Sequence, residues 1–574
     1  MKVRAAFQNM FFVYNVVKLT RKRILLFFIS ILIVISSLFP IVTLDVTRRI
    51  LNNIQSGSPV KETIKLFITM ISIQIFSQLI MYFIQFNKNL FYIKMSNLIP
   101  ELIMKKIANL AADKIFHEKT QDELYFLRTQ TSEKISSVFE NLFSLLSAFT
   151  TLTSMFIYVA NWNMMYALII FLISMPLGIT QVYFNQKKFR LSKRLNRPYR
   201  EQFYIQYIST TGSYLKEIIT NNSMGRLIKE YKDIFKGTYY QQKKLMKKEY
   251  IASLFLSLMS FMVIGFLEFK LVMKAVNGEL LLGTFTSLLQ AINSVSIGIN
   301  ALILVMSNFY GDLLYVNNLK DFLSEKNEKS FEKNYYEDVK KIDSKSFILK
   351  GSDLSFHIGN KEIFRDLNFE LESGKIHGIL GDNGSGKTTL LEVIQGLKKQ
   401  TTGSIYFNNM DLDLLSKEER FEIIQMLFQQ PSRYEFSFED NITISDFEKE
   451  PTENVFEFIK RIDDESKIET IVSSSNERLG DWYEDSRPLS GGQWQTISFY
   501  RLLYRESPIY LIDEPTNNLD YHSIQRMKNT LKKIKDNGFL VIVVSHDLEF
   551  MESICDNLID MKALTSRGKT LINS

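Results

Sequence analysis

Long uncharged runs alternate with charged stretches through the first three hundred residues. Ile24 to Leu44 carries no charge, nor do Leu66 to Asn87, Asn141 to Gln186, Tyr250 to Leu267 and Leu280 to Gly311. About 20 apolar residues cross a hydrocarbon core of roughly 30 Å as a helix. The third run has room for two crossings, and its polar centre Asn161-Trp162-Asn163 reads as a tight hairpin with an interfacial aromatic. The pattern predicts six spans, at 24–44, 66–87, 141–160, 164–186, 250–272 and 280–311. Residues 1–23 mix apolar and basic positions, as in a helix lying on a membrane face.

Lysine and arginine set the orientation. Gln186 to Arg200 is densely basic, and Lys243, Lys244, Lys247 and Lys248 precede the fifth span. The connections around Asn161 and Gly278 are short and nearly uncharged, so both termini are expected in the cytoplasm of a cell-membrane protein. The connections 87–140 and 186–249 are too long to be structureless loops. The second to fifth spans should therefore extend as helices, with turns near His117 to Tyr125 and Thr220 to Leu227 able to touch a cytoplasmic domain.

Amide and hydroxyl side chains fall at helical spacing within the spans: Gln74, Gln78 and Gln85; Ser253, Ser257 and Ser260; Thr286, Gln290, Asn293 and Asn300. Amides are costly in lipid, so these stripes should face other helices or a water-filled cavity. Glu268 is the one acid in an apolar run, and with Lys270 and Lys274 nearby it reads as a snorkelling charge.

Ser324 to Ser346 is polar and charge-rich, a linker by composition. From Phe347 short apolar runs alternate with helical patterns, an α/β reading. The expected fold is thus an α-helical six-span membrane domain (1–323), a linker (324–346) and an α/β P-loop domain (347–574).

The net charge of +7 over 574 residues is spread along the chain and forms no nucleic-acid-like block. A single cysteine, Cys555, excludes an intrachain disulfide framework and a cysteine zinc cluster.

Gly381-Asp382-Asn383-Gly384-Ser385-Gly386-Lys387-Thr388-Thr389 follows an apolar strand and opens a helical pattern. Its glycines let successive backbone N–H groups face phosphate oxygens, Lys387 supplies a charge for the β and γ phosphates, and Thr388 offers a hydroxyl to Mg²⁺. Ile509 to Ile512 is an apolar strand ending in Asp513, a candidate Mg²⁺ ligand, and Glu514, a candidate base for the attacking water. Ser490-Gly491-Gly492-Gln493 after Leu489 has the makings of a helix N-terminus open to an anion.

With its phosphate loop, acid-ended strand and LSGGQ, the segment 347–574 resembles an ATP-binding cassette domain. The resemblance implies that Ser490, Gly491, Gly492 and Gln493 serve the γ-phosphate of ATP held by a partner domain. It also implies that Gln429 reaches Mg²⁺ and the attacking water, that Asp520 lies on a loop crossing the dimer interface, and that His546 contacts the γ-phosphate. The family stacks adenine on an aromatic residue where this chain has Ile358; Phe356 or His357 are alternative contacts. The remaining histidines, His117, His357, His377 and His522, read as surface or packing residues.

Six spans ahead of one cassette resemble an ABC exporter half-transporter. Phe428 to Ile442 and Leu479 to Gln495 resemble the lantibiotic and bacteriocin peptide exporters. The expectation is an ATP-driven, homodimeric exporter of a peptide or other amphipathic substrate. The alternatives are a drug or lipid exporter with the same engine, or a non-transporting membrane ATPase that senses a ligand. Some peptide exporters carry an N-terminal cysteine peptidase; the residues before the first span contain neither Cys nor His, so a separate protease is expected to remove any leader.

Overall fold

Among the described residues of the computed structural model, five helices are long and apolar enough to cross a membrane. The structure describes residues 2–19, 23–128, 132–325, 346–359, 361–446 and 453–561. Most of the 324–346 linker lies outside them. Two compact units emerge: Met1–Ala108 with Glu118–Lys326, and Asn109–His117 with Asn327–Ser574.

The first unit is helical: α1 (Lys2–Leu19), α2 (Arg23–Ser36), α3 (Phe39–Gln55), α4 (Val60–Ala108), then, after a short helix α5 (Ala112–Ile115) that belongs to the second unit, α6 (Glu118–Phe126), α7 (Ser132–Arg194), α8 (Asn196–Thr210), α9 (Gly212–Thr220), α10 (Met224–Val276) and α11 (Leu282–Ser324). The expected first span, 24–44, is two helices. Pro40 lacks the N–H that would continue the ladder, and the hydroxyls of Ser36 and Ser37 both donate to Ile33 O, at 2.9 and 2.7 Å.

α7 is broken at Asn163, whose backbone is extended (φ −157°, ψ 108°) and whose Oδ1 accepts from the N–H groups of Met165 and Tyr166. A straight helix of 63 residues would run about 95 Å. Instead both limbs return to one stretch of α11. On the first limb Ser137 and Asn141 donate to Asp312; on the second, Asn185 donates to Ser307 at 2.8 Å.

α4 and α10 are 49 and 53 residues long, well beyond the runs 66–87 and 250–272. The turn before α10 is Asn221–Ser223, inside the expected range, with Asn222 left-handed (φ 49°). The first turn comes earlier than expected. α4 stops at Ala108, Leu110 is fully buried, and Lys417 donates to the Leu110 carbonyl at 2.9 Å within the second unit. His117 to Tyr125 instead opens helix α6.

The polar stripes divide. Ser260 is buried and its hydroxyl donates to Ile173 O at 3.2 Å, a helix-to-helix contact. Gln74, Gln78, Gln85, Thr286, Gln290 and Asn293 are exposed, and Asn300 is half-buried. Along α11 the opposite face, with Leu288, Ala291, Ile292, Val295 and Ile299, is buried.

The second unit holds β1 (Ile348–Ile358), β2 (Lys361–Glu372), β3 (Ile376–Leu380), α12 (Lys387–Gln395), β4 (Thr402–Phe407), β5 (Met410–Asp411), α13 (Lys417–Ile423), β6 (Ile424–Leu427), α14 (Phe438–Thr443), α15 (Val455–Ile462), α16 (Ile468–Ile471), α17 (Gly491–Tyr504), β7 (Ile509–Asp513), α18 (Tyr521–Asp536), β8 (Leu540–Val544), α19 (Leu548–Ile554) and β9 (Asn557–Asp560). β2-β1-β4-β5 form an antiparallel sheet and β6-β7-β8-β3-β9 a parallel one. The middle strands β7 and β8 are buried at every position, as strands covered on both faces must be. Their side chains alternate between two cores: Tyr510 and Ile512 pack with α17 and α18, while Ile509 and Leu511 pack with α12 and the antiparallel sheet.

Candidate active site

Parallel strands end on one edge, and that edge collects part of the predicted set. The register pairs Leu427 with Ile512, Asp513 with Val544, and Val544 with Ile379. Gln429 follows β6, Asp513 and Glu514 end β7, His546 follows β8, and Gly381 to Thr389 follows β3. Residues separated by up to 165 positions thus share one rim, the usual ligand edge of an open α/β sheet.

The loop is a tight turn into α12. Gly386 caps that helix in the left-handed region (φ 95°), and a side chain there would meet Ile363 at 2.9 Å. Asp382, Asn383 and Gly384 are exposed, as is Thr388, while Thr389 is half-buried. Lys387 is buried and its ammonium donates to Gly381 O and Asp382 O at 2.7 and 3.1 Å, which holds it over the loop.

Asp513 is 1% exposed, and no hydrogen bond of ordinary geometry reaches either carboxylate oxygen. Burial pushes its carboxyl up to about 6; Glu514 adds to the rise and the nearby Thr388 hydroxyl opposes it. The Ser385 hydroxyl is likewise buried without a partner. A buried, unpartnered carboxylate beside a threonine hydroxyl fits an oxygen-ligated Mg²⁺, and the surrounding N–H groups and lysine fit the phosphates that accompany it. Asp513 and Thr388 would hold that ion; Gln429, exposed at the rim, adds an amide oxygen to the same donor class.

Glu514 is buried with a left-handed backbone (φ 50°), an uncommon conformation for a non-glycine residue. Its N–H donates to Val544 O at 2.8 Å, and His546 Nε2 lies 3.2 Å from Glu514 Oε1. The buried carboxylate and the half-exposed imidazole therefore form one unit at the sheet edge.

Ser490 caps α17. Its hydroxyl accepts from Gln493 N at 3.3 Å, and Gln493 Oε1 accepts from Ser490 N at 2.8 Å, a reciprocal capping box. A Cβ on Gly492 would stand 2.3 Å from Asn518 O, so only glycine lets this helix end lie against the Asn518 turn. Asp520 caps α18 by accepting from Ser523 N at 2.7 Å, which holds its carboxyl below the usual range.

Ile358 ends β1 and is 54% exposed. Phe356 is buried against Phe364, with ring centroids 6.0 Å apart, so it is not available to a base. His357 is beside Glu362 at 3.3 Å. His377 is buried with its pKa lowered chiefly by desolvation, a packing role as expected. Cys555 is half-buried, and burial pushes its thiol up to about 12, the reverse of a nucleophile's environment.

The ABC transporter family model matches residues 364–517. The subtilin transport ATP-binding protein SpaT of Bacillus subtilis is 26% identical over 498 residues, covering 85% of this chain and 79% of that protein. The nisin transport ATP-binding protein NisT of Lactococcus lactis subsp. lactis is 27% identical over 440 residues, 76% and 71% of the two chains. A solved structure of a bacterial Atm1-family ABC exporter with ATP bound superposes with a TM-score of 0.76 at 15% identity, covering 94% of this chain and 93% of the other. With the phosphate loop, the acid-ended strand and the capped LSGGQ helix on one cassette behind a bundle of membrane-length helices, the chain belongs to the ABC transporter family and has the exporter fold.

Proposed function

We propose that this chain exports a peptide across the cell membrane as a homodimer, driven by ATP hydrolysis. The observation that carries the reading is the shared sheet edge, where Glu514, paired with His546, stands with Asp513 behind the Gly381–Thr389 loop. The likeness to the subtilin and nisin transport proteins across most of both chains supports a peptide as the cargo.

The residues divide the work. Lys387 and the loop N–H groups bind the phosphates, with Ser385 available to a phosphate oxygen. Mg²⁺ held by Asp513 and Thr388 would screen phosphate charge. Glu514 accepts the proton of the attacking water, and His546 holds that carboxylate in place and faces the γ-phosphate side. Ser490 and the N-terminus of α17 supply a second anion surface, offered to the nucleotide of the partner copy. Asn109–His117 belongs to the cassette unit and is continuous in the chain with α4.

The test is ATP-dependent accumulation of a labelled amphipathic peptide in inverted membrane vesicles carrying the full-length protein. Uptake that needs ATP and disappears in Glu514→Gln supports export. Peptide-stimulated ATPase without accumulation would make the protein a sensor instead.

A further inference from the structure

Glu268 is expected from the sequence to snorkel beside Lys270 and Lys274. The structure pairs it otherwise. Asn293 Nδ2 of α11 donates to Glu268 Oε1 of α10 at 2.7 Å. Lys270 lies over the Phe266 ring at 4.9 Å, and Lys274 is over Trp162 and 4.0 Å from Glu279. Among the described residues no lysine or arginine pairs with Glu268.

Glu268 is eight residues, about 12 Å, from the end of α10 at Val276. Asn293 is eleven residues, about 17 Å, from the start of α11 at Leu282. Both helix ends belong to the short turn that joins them, so the contact lies along two apolar helices, in the outer part of the predicted span 250–272. An acid in an apolar helix persists where it faces a partner or water, and such residues mark substrate paths.

The pair lies on an open face of α11. Asn293 continues the exposed polar stripe of Thr286 and Gln290, opposite the buried apolar face of α11. The Asn293 amide also donates to Leu289 O at 3.2 Å, so both its protons are committed. What remains outward is acceptor chemistry: a carboxylate oxygen and an amide carbonyl, on a face with no other charge among its stripe residues.

We propose that Glu268 and Asn293 form an intramembrane cation site on the transport path, which takes a lysine ammonium of the exported peptide. The site rests on the reading of this chain as a peptide exporter. Glu268 supplies the charge and one acceptor, Asn293 fixes the carboxylate and adds its carbonyl. An ammonium, with three donors and no acceptor, satisfies both. A homodimer presents two such sites, suited to a cargo with more than one positive charge.

The experiment uses the full-length protein in nanodiscs and two dye-labelled amphipathic peptides, identical except that one has a free lysine and the other its Nε-acetylated form. Fluorescence anisotropy gives Kd for wild type, Glu268→Gln and Glu268→Asp, and vesicle uptake is measured alongside. Glu268→Gln should weaken the lysine peptide roughly tenfold or more, the range of a charged hydrogen bond, and leave the affinity for the acetylated peptide unchanged. Glu268→Asp should restore part of the preference. Equal affinity of Glu268→Gln for both peptides at the wild-type lysine-peptide Kd, or equal loss of both, overturns the site. Charge-dependent binding without ATP-driven uptake would sink the export reading and leave the site standing; uptake with no Glu268 dependence would do the opposite. If neither peptide binds the wild-type protein, both fall.

Discussion

His546 reaches back to Glu514 twice: its ring Nε2 lies 3.2 Å from Oε1, and its backbone N–H donates to Oε2 at 3.4 Å. The two residues end adjacent parallel strands, so the contact is fixed by the register of β7 on β8. A carboxylate held on both oxygens has one orientation left, which is what a base must have before it can act on one water. Glu514→Gln keeps the shape and the histidine contact but cannot accept the proton. It should retain ATP binding and lose roughly 10²–10⁴-fold in turnover. Steady-state ATPase in nanodiscs measures this; activity within a few-fold of wild type would place the base elsewhere.

Asp513 should make magnesium-dependent nucleotide binding sensitive to acid. Its carboxyl is raised from the usual 3.8 to about 6, mainly by burial, so the protonated form is favoured in the folded, nucleotide-free protein. The stability this contributes is full below the unfolded value and is lost as pH rises through about 6. A metal competes with that proton. Mg²⁺-dependent nucleotide affinity should be flat above pH 7 and about tenfold weaker at pH 5, because one unit below its pKa only about a tenth of the carboxyl is ionised. Asp513→Asn should remove the pH dependence, raise the melting temperature of the nucleotide-free protein near neutral pH, and abolish magnesium-dependent hydrolysis. Identical pH profiles for the two proteins would show that Asp513 does not titrate in this range.

The long apolar helices and the phosphate loop were legible because each is local: a run without charge must leave water, and a glycine-rich turn after a strand opens its N–H groups to a ligand. Asn163 was legible too, since a polar tripeptide inside an apolar run has one economical reading. The turn at Asn109–His117 was misplaced by several residues because burial of Leu110 against the cassette, not local sequence, ends α4. The partner of Glu268 was not legible for the same kind of reason. Its partner Asn293 is 25 residues away on another helix, while the lysines that suggested snorkelling are close only in sequence. The break at Ser37 and Leu38 carried its own signal in Pro40, hidden inside an otherwise uninterrupted apolar run.

Ile358 stands exposed at the end of β1, where the family places an aromatic ring. With Phe356 committed to the hairpin core, an adenine docked at this edge would meet an aliphatic side chain in its place. Base–aromatic stacking contributes about 1–3 kcal/mol. Ile358→Tyr should therefore tighten ATP binding by roughly fivefold or more, read by displacement of a fluorescent nucleotide. Ile358→Ala should change it little. An unchanged Kd in Ile358→Tyr would put the adenine against another surface of the domain.

Ser490 tests whether two chains share each site. Its hydroxyl and the first N–H groups of α17 form a preset anion cradle, and a side chain at Gly492 has no room. In a mixture of wild-type and Ser490→Arg chains, each mixed dimer should carry one blocked site. ATPase plotted against mutant fraction should then curve below the straight line expected of independent monomers if one blocked site stalls both. A profile that scales with the wild-type fraction would mean each cassette works alone.

Asp312 holds the α7 hairpin to α11. It is buried, accepts from Ser137 and Asn141, and pairs with Lys134 at 3.2 Å, all from the first limb. Phe189, from the second limb, packs edge-on to Tyr315, with ring centroids 5.1 Å apart, one turn further along α11. The acid thus sits where both limbs converge. Asp312→Leu leaves three donors facing an apolar group. Hydrogen bonds between membrane helices average about 0.6 kcal/mol each, and the unmet donors add to that loss. Asp312→Leu should lower the melting temperature of the purified protein by several degrees. Asp312→Asn, which keeps one carbonyl acceptor but no charge for Lys134, should fall between. Lys134→Met should cost less than Asp312→Leu, because the lysine is half-exposed and its partner keeps two other donors. Melting curves for the three variants that coincide with wild type would assign the hairpin to apolar packing of α7 on α11 alone.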